Sequence, residues 1–357
     1  MNAPSTHGKR QDMDWFESLT GFRESTYRET QARLESDGHA LRSRVNGASY
    51  GIGTLELVSL EALRDRTRRP TQVQPRSGRL SVGIVEGDVR ALHRSPENAG
   101  ALFQVASQFN LLEMVGPRVT PEHGVAIYAD DRTQGPACAI AAGAATIYRN
   151  YFAPVGDQVG QTHDRQLDGL APLGDALAAG TGLPVDALWK MQNGYALCSR
   201  EGLDAIARHL STLDHAGMDA LRGRLCIGLH HDVEVTDMPL AAGATGARPV
   251  VSQAFCSALP VAYGGVPQPH WKAFATLVLE AAYEATLCAA IARAQSGASN
   301  RLLLTALGGG VFGNDEAWIH HAILRALRMF EHHALDVKLV SFAEPATWMK
   351  ETVAAFD

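Results

Sequence analysis

The chain has 357 residues, 46% of them hydrophobic and 20% charged. That is enough apolar material for one large core or two smaller ones, and it excludes a disordered or fibrous chain. Lys and Arg number 32 against 38 Asp and Glu, a formal net charge of −6, so no overall positive field exists to hold a nucleic-acid backbone or an anionic membrane.

The N-terminal MNAPSTHGKRQDMDW has no apolar stretch of signal-peptide type, and no run approaches the roughly 18 consecutive apolar residues of a membrane span. A soluble cytoplasmic protein is the expectation. Acidic and basic side chains at helical spacing predict a helix over 24–44, within a solvated N-terminal extension covering 1–79. Ser49–Gly53 leads into a short β-like run at 54–58. Arginines then crowd 64–74 beside Pro70 and Pro75, which predicts a linker near 68–79.

From Leu80 onward, short apolar or β-branched runs alternate with helix-like stretches, the α/β pattern. The runs are 80–85, 100–105, 224–229, 250–258, 301–307 and 337–342. Apolar periodicity or high alanine content predicts helices over 136–151, 271–295 and 315–333. Residues 153–222 read as a mainly helical insertion into this domain, and 346–357 as a C-terminal tail. The five cysteines are odd in number, widely spaced and lack a CxxC pair, which predicts reduced, buried thiols without a disulfide framework or zinc site.

Four local patterns carry chemistry. Thr305-Ala-Leu-Gly-Gly-Gly-Val-Phe-Gly-Asn-Asp315 runs from an apolar strand through four glycines into a helix. Backbone amides there can approach a phosphate, and the helix N-terminus adds its dipole. The same glycines are equally suited to a tight turn needing positive φ. No Gly-Lys-Ser/Thr follows, so this is not a Walker loop. Asp88, in Glu86-Gly-Asp-Val89, stands at a strand's carboxyl end, where it serves either a ribose or exocyclic amine or a helix N-cap. Gln104, Ser107, Gln108, Asn110 and Glu113 form a polar cluster where a strand ends. Asp130-Asp131-Arg-Thr-Gln134-Gly-Pro opens an alanine-rich helix, suited to an anion or a positioned water, although either carboxylate also offsets the helix dipole.

Taken together, these motifs resemble the macrodomain superfamily, particularly its poly(ADP-ribose) glycohydrolase-like branch. The resemblance covers roughly 80–345, apart from the insertion, and implies a three-layer α/β/α domain with a mixed sheet that binds ADP-ribose. It implies that Asp88, with Val89 beside it, holds adenine. It places the diphosphate on Gly308, Gly309, Gly310, Val311, Phe312 and Gly313, with Asn314 adjoining, and lets Phe312 stack on a sugar or base. The distal ribose would lie near Gln104, Ser107, Gln108 and Asn110. The family's Gly-Gly-Gly stretch is replaced here by Asn110–Gly116, and its paired glutamates are absent.

Hydrolysis of an ADP-ribosyl bond builds oxocarbenium character and needs a carboxylate. Glu113, Asp130 and Asp131 are the candidates, with Gln134 and Thr133 to position water. The resulting expectation is an ADP-ribosyl glycohydrolase that removes ADP-ribose from modified substrates, with ADP-ribose or an ADP-ribosylated protein as partner and without a cofactor or metal. Two rivals remain: a reader that binds ADP-ribose without cutting it, and an NAD- or nucleotide-dependent enzyme, which would lack the usual GxGxxG turn. His230-His231-Asp232, His320-His321 and His332-His333 invite a metal reading, but adjacent histidines on regular structure point to different faces. In the insertion, Gln161, Asp164, Arg165 and Asn193-Gly194-Tyr195 form either a lid over the site or ordinary turns.

Overall fold

The computed structural model describes residues 14–69, 78–238 and 247–356. Seven strands form the central sheet: β1 (Thr54–Ser59), β2 (Ser81–Glu86), β3 (Leu102–Ala106), β4 (Cys226–Glu234), β5 (Val250–Cys256), β6 (Arg301–Leu304) and β7 (Asp336–Ser341). Their order is β1-β4-β5-β3-β6-β7-β2. β4 runs antiparallel to both β1 and β5, and the remaining pairs are parallel. All six runs expected from Leu80 onward are strands of this sheet. Parallel strands covered on both faces must be apolar on both, which makes such runs conspicuous.

Helices lie on both faces, giving the expected three layers. One face packs the Gln268–Gln295 helix with Leu60–Arg68 and Glu316–Met329. The other packs Val89–Arg94, Gln134–Ala141 and Gly143–Tyr151. The Gln268–Gln295 helix is long and apolar enough to cross a membrane, contrary to the impression left by counting consecutive apolar residues. Its most apolar window is 94% buried inside the fold, so here it is the core helix. Two carboxylates interrupt it, and each meets arginine: Glu280 with Arg222 at 2.7 Å, and Glu284 with Arg64 at 2.6 Å and Arg325 at 2.8 Å. Buried charges require such partners.

Three sequence expectations are corrected. The helix expected over 24–44 spans only Tyr27–Ala32 and is followed by a three-stranded sheet at Leu34–Ser36, Ala40–Ser43 and Ser49–Gly51. Asp37 accepts from the His39 and Ala40 amides at 2.8 Å each, and Gly38 has φ 87°, so a turn forms where charge spacing alone suggests helix. This region is not a solvated appendage. Phe16, Leu19, Leu34 and Leu41 are buried against Ile140, Ile147 and Tyr151. The extension also contributes β1 to the central sheet, so the α/β unit begins before Leu80. Most of the expected linker falls on residues outside those described.

The single helix expected over 136–151 is two, Gln134–Ala141 and Gly143–Tyr151. The Ala141 carbonyl is taken by the Thr236 and Asp237 amides at 2.9 and 3.2 Å, and Ala142 leaves helical geometry. Residues 153–222 carry the helices Ala171–Thr181, Val185–Leu188 and Arg200–Ser211 and the hairpin Trp189–Gln192/Tyr195–Cys198. They share the main hydrophobic core through Leu173, Leu177, Leu203 and Ile206. The cysteines are unpaired, four of them buried, and no histidine belongs to a metal-competent cluster among the described residues.

Candidate ligand cleft

The cleft exists because two parallel strands part. β3 pairs with β6 only at Leu102–Leu302 and Phe103–Leu303, while its pairing with β5 continues to Ala106–Cys256. Ser107 N–H donates to the Cys256 carbonyl at 2.9 Å. Strand alternation therefore turns the Ala106 N–H and Gln104 C=O toward the side that β6 has left. Gln134 meets both, accepting from Ala106 and donating to Gln104 at 2.9 Å each. Its amide substitutes for the missing strand. Gly135 permits this approach, since a Cβ there would lie 2.0 Å from the Ala106 oxygen.

A cleft of about 360 Å³ opens in this split, at the carboxyl ends of the parallel strands, the usual ligand position in open α/β sheets. One wall is Ala106–Gln108 with Glu113–Val115. A second is Asp131–Pro136, and a third is the glycine loop from Thr305 to Phe312. Tyr195, Tyr263 and Phe312 form an aromatic cluster on the cleft with ring centroids 5.3–5.6 Å apart. Phe342, which follows β7, reaches the mouth and is 82% exposed.

The glycine loop is tightly built. Gly308 has φ 70°, and a Cβ there would lie 2.5 Å from both Ala258 Cβ and Asn314 Nδ2. Amides of Leu307, Gly309, Gly313 and Asn314 bond to carbonyls within the loop. Those of Gly308, Gly310, Val311 and Phe312 have no partner among the described residues, and all four residues line the cleft. Consecutive free amides make an anion-binding concavity. The following helix is different, because Asp315 caps it by accepting from Ala317 at 2.9 Å and places its own carboxylate at that end.

Glu113 is the cleft's buried acid. The residue is in the cavity lining and 2% exposed, but its side chain has no exposed surface. Arg149 Nη2 lies 3.2 and 3.3 Å from its two carboxylate oxygens, and its amide donates to the Tyr128 hydroxyl at 3.1 Å. Burial pushes the Glu113 carboxyl up to about 7 against the opposing pull of Arg149 and Tyr128. It can therefore exist as carboxylate or acid near neutrality.

The structure brings together Glu113, Asp131, Gln134, Ser107, Gln108, Gly308, Gly310, Val311 and Phe312. Other expected site residues have different roles. Gln104 lies inside the sheet–helix core, donating to Thr286 at 2.9 Å and accepting from the Thr305 amide at 3.3 Å. Asn110 closes a turn through the Leu112 amide and donates to Gln166. Asn314 donates to the Leu259 carbonyl at 2.8 Å. In each case a polar side chain near a strand end satisfies buried groups.

Val89 packs into a core cluster, and Gly309, Gly313 and exposed Asp130 lie outside the cleft lining. Asp88 caps the Val89–Arg94 helix by accepting from Arg90 at 2.7 Å. It also lies outside the lining, although β2 adjoins β7, whose next residue is Phe342. Asp131 accepts the Thr133 amide at 2.8 Å, and both oxygen and nitrogen of the Gln134 amide are engaged. Gln134 is thus a clamp for β3 and not a free water-positioning group. Arg165 pairs with Asp157 away from the cleft, whereas Tyr195 lines it.

Tyr128, Arg149, Tyr263 and Phe342 were not singled out from sequence. Only Arg149 leaves a signal there, as a lone charge in the alanine-rich stretch before Tyr151.

No protein-family model matches the chain, and no curated protein matches it. Among solved structures it is similar to poly(ADP-ribose) glycohydrolase from Deinococcus radiodurans in complex with ADP-ribose, with 14% identity, coverage of 85% of this chain and 93% of that one, and a TM-score of 0.43. It is also similar to poly(ADP-ribose) glycohydrolase from Thermomonospora curvata bound to the inhibitor ADP-HPD, with 14% identity, coverage of 92% and 96%, and a TM-score of 0.43.

Proposed function

We propose that the cleft binds an ADP-ribosyl group and that Glu113 supports hydrolysis of its glycosidic bond. The observation that carries this reading is a buried glutamate in the lining of a cavity it shares with a glycine loop that offers free backbone amides. The sequence motifs resembling the macrodomain superfamily name the ligand. In this arrangement the diphosphate rests on the amides of Gly308 and Gly310–Phe312, and a base reaches the mouth beside Phe342 and Asp88. The distal ribose then faces Glu113.

As the glycosidic bond lengthens, positive charge develops at the anomeric carbon, and the Glu113 carboxylate offsets it. Water attacks that carbon and gives its proton to Glu113, while the leaving group departs with the bonding electron pair. A base that titrates near the working pH is suited to this exchange. Asp131 keeps one oxygen on its own turn and is the weaker candidate. The acceptor from which ADP-ribose is removed lies at the open mouth.

Calorimetric titration with ADP-ribose, beside AMP and NAD, tests the ligand, using wild type and Asp88→Ala. Release of ADP-ribose from modified proteins by wild type and Glu113→Gln tests the reaction. The expected result is preferential binding of ADP-ribose, weakened by Asp88→Ala, and release that Glu113→Gln abolishes. Binding without release by wild type would make the protein a reader. Equal or tighter binding of NAD would favour a nucleotide-dependent enzyme, and no binding would leave the cleft without this role.

A further inference from the structure

Arg149 pairs with the Glu113 carboxylate and is not part of the cleft lining. It is fully buried in the Gly143–Tyr151 helix, and its guanidinium lies 3.9 Å from the Phe255 ring centroid. Nε donates to the Leu111 carbonyl at 3.1 Å. Nη2 donates to both Glu113 oxygens and to Thr146 Oγ1, the last at 3.1 Å. One planar group therefore holds a backbone acceptor and the carboxylate two residues later.

The Leu111–Glu113 turn needs such a tie. Leu111 has φ 64°, a left-handed conformation that a branched residue rarely adopts without support. Its side chain fills the space at Gly228, where a Cβ would lie 2.5 Å from Leu111 Cδ1. Asn110 Oδ1 accepts the Leu112 amide at 3.1 Å, and Arg149 then takes the Leu111 carbonyl.

Charge adds a second constraint. Other titratable groups around this pair are the Tyr128 hydroxyl, the Cys138 thiol on the Gln134–Ala141 helix, and His230 on β4. Burial keeps the first two protonated and the third uncharged near neutrality. Of these groups, Glu113 is the one that can supply Arg149 with a counterion when ionised, and Nη1 of the arginine is buried without a partner. A buried guanidinium deprived of that counterion is costly.

We propose that Arg149 is the positioning residue of Glu113: it fixes the place of the carboxylate and favours its charged form. The assignment rests on Glu113 being the working carboxylate. Lysine can replace the charge but not the planar fork that reaches Leu111 and Glu113 together.

The test is a ¹³C NMR titration of the Glu113 carboxyl carbon in the ligand-free protein, assigned with Glu113→Gln. In Arg149→Met the midpoint should rise by about one unit or more, a tenfold loss of ionised carboxylate at a fixed pH below it. In Arg149→Lys it should stay within about half a unit of wild type, while kcat for ADP-ribose release falls with KM little changed. An unchanged midpoint in Arg149→Met would overturn the proposal. If that variant does not fold, the wild-type Arg149 Nε resonance decides: it should move with the Glu113 midpoint, and independence from it would refute the coupling. Failure of wild type to release ADP-ribose would instead overturn the proposed reaction, and the titration would still decide what Arg149 does to Glu113.

Discussion

The Tyr195 hydroxyl donates to the Met114 carbonyl across 2.7 Å, joining the Trp189–Cys198 hairpin to the cleft wall that carries Glu113. Gln108 supports the same junction, accepting from the Met114 amide at 2.9 Å and donating to Tyr195 at 3.4 Å. On the hairpin turn, Asn193 has φ 48° and donates to the Pro117 carbonyl at 2.7 Å. Asn193 and Tyr195 therefore brace the cleft wall that carries Glu113. Tyr195→Phe keeps the aromatic packing and strands a buried carbonyl, a loss of about 1–3 kcal/mol. Denaturant unfolding should show that loss, and ADP-ribose affinity should fall with it because Met114 and Val115 lose their anchor. Unchanged stability and affinity would mean that the wall holds its shape without the hydroxyl.

Gln134 offers a sharper case, since its amide bonds to β3 as a neighbouring strand would. Gln134→Leu is nearly isosteric but leaves the Ala106 N–H and Gln104 C=O without it. The expected cost is about 2–4 kcal/mol for two buried backbone groups. Gln134→Glu retains an acceptor for Ala106 and loses the donor to Gln104, so its cost should fall between wild type and leucine. Equal stability of all three, measured by urea unfolding, would show that water serves these groups as well as the side chain does.

The central sheet was legible because strands covered on both faces are largely apolar, and six such runs stand out after Leu80. The helix break at Ala142 was not, because its cause is the pair of amides at Thr236 and Asp237, far along the chain. Charge spacing misread 24–44 because side-chain pairing carries no information about the Asp37-Gly38 turn. At the cleft, the glycine loop and Glu113 were readable from residue type and position. Gln104, Asn110 and Asn314 were not, since a polar group that binds a ligand and one that satisfies a buried amide look alike in sequence. Arg149 acquires meaning only once the fold pairs it with Glu113.

Two glycines of the loop separate folding from ligand contact. Gly308→Ala places a side chain at φ 70° and 2.5 Å from Ala258 Cβ, and should destabilise the protein by more than about 2 kcal/mol. Gly310 has no positive φ, and a Cβ there meets nothing within 4 Å. Gly310→Ala should therefore unfold at the wild-type denaturant midpoint. Its Cβ would project beside the free amides at 310–312, so its affinity for ADP-ribose should drop at least about tenfold, which is about 1.4 kcal/mol. Calorimetry showing wild-type affinity in Gly310→Ala would remove the diphosphate from this loop.

The pH dependence of stability gives opposite signs at two buried groups. Burial lowers His93 from 6.5 to about 4, even though its Nδ1 meets the Val89 carbonyl at 2.7 Å. The unfolded state then binds more protons between those values, so the His93 contribution is present above pH 6.5 and is lost as pH falls toward 4. His230 is displaced in the same direction. Glu113 moves from 4.5 up to about 7, so the folded state binds more protons there, and its contribution is present below pH 4.5 and lost as pH rises through 7. The His93 and Glu113 effects are each about 3 kcal/mol and oppose one another through the shared window. Wild-type stability should change modestly from pH 4.5 to 6.5, whereas Glu113→Gln should gain about 2 kcal/mol more than wild type over that range and His93→Gln about 2 kcal/mol less. Urea unfolding of the three proteins across the window checks this. Parallel curves for Glu113→Gln and wild type would mean that Glu113 titrates at its ordinary value, and with it would go the case for this carboxyl as an acid–base group near neutrality.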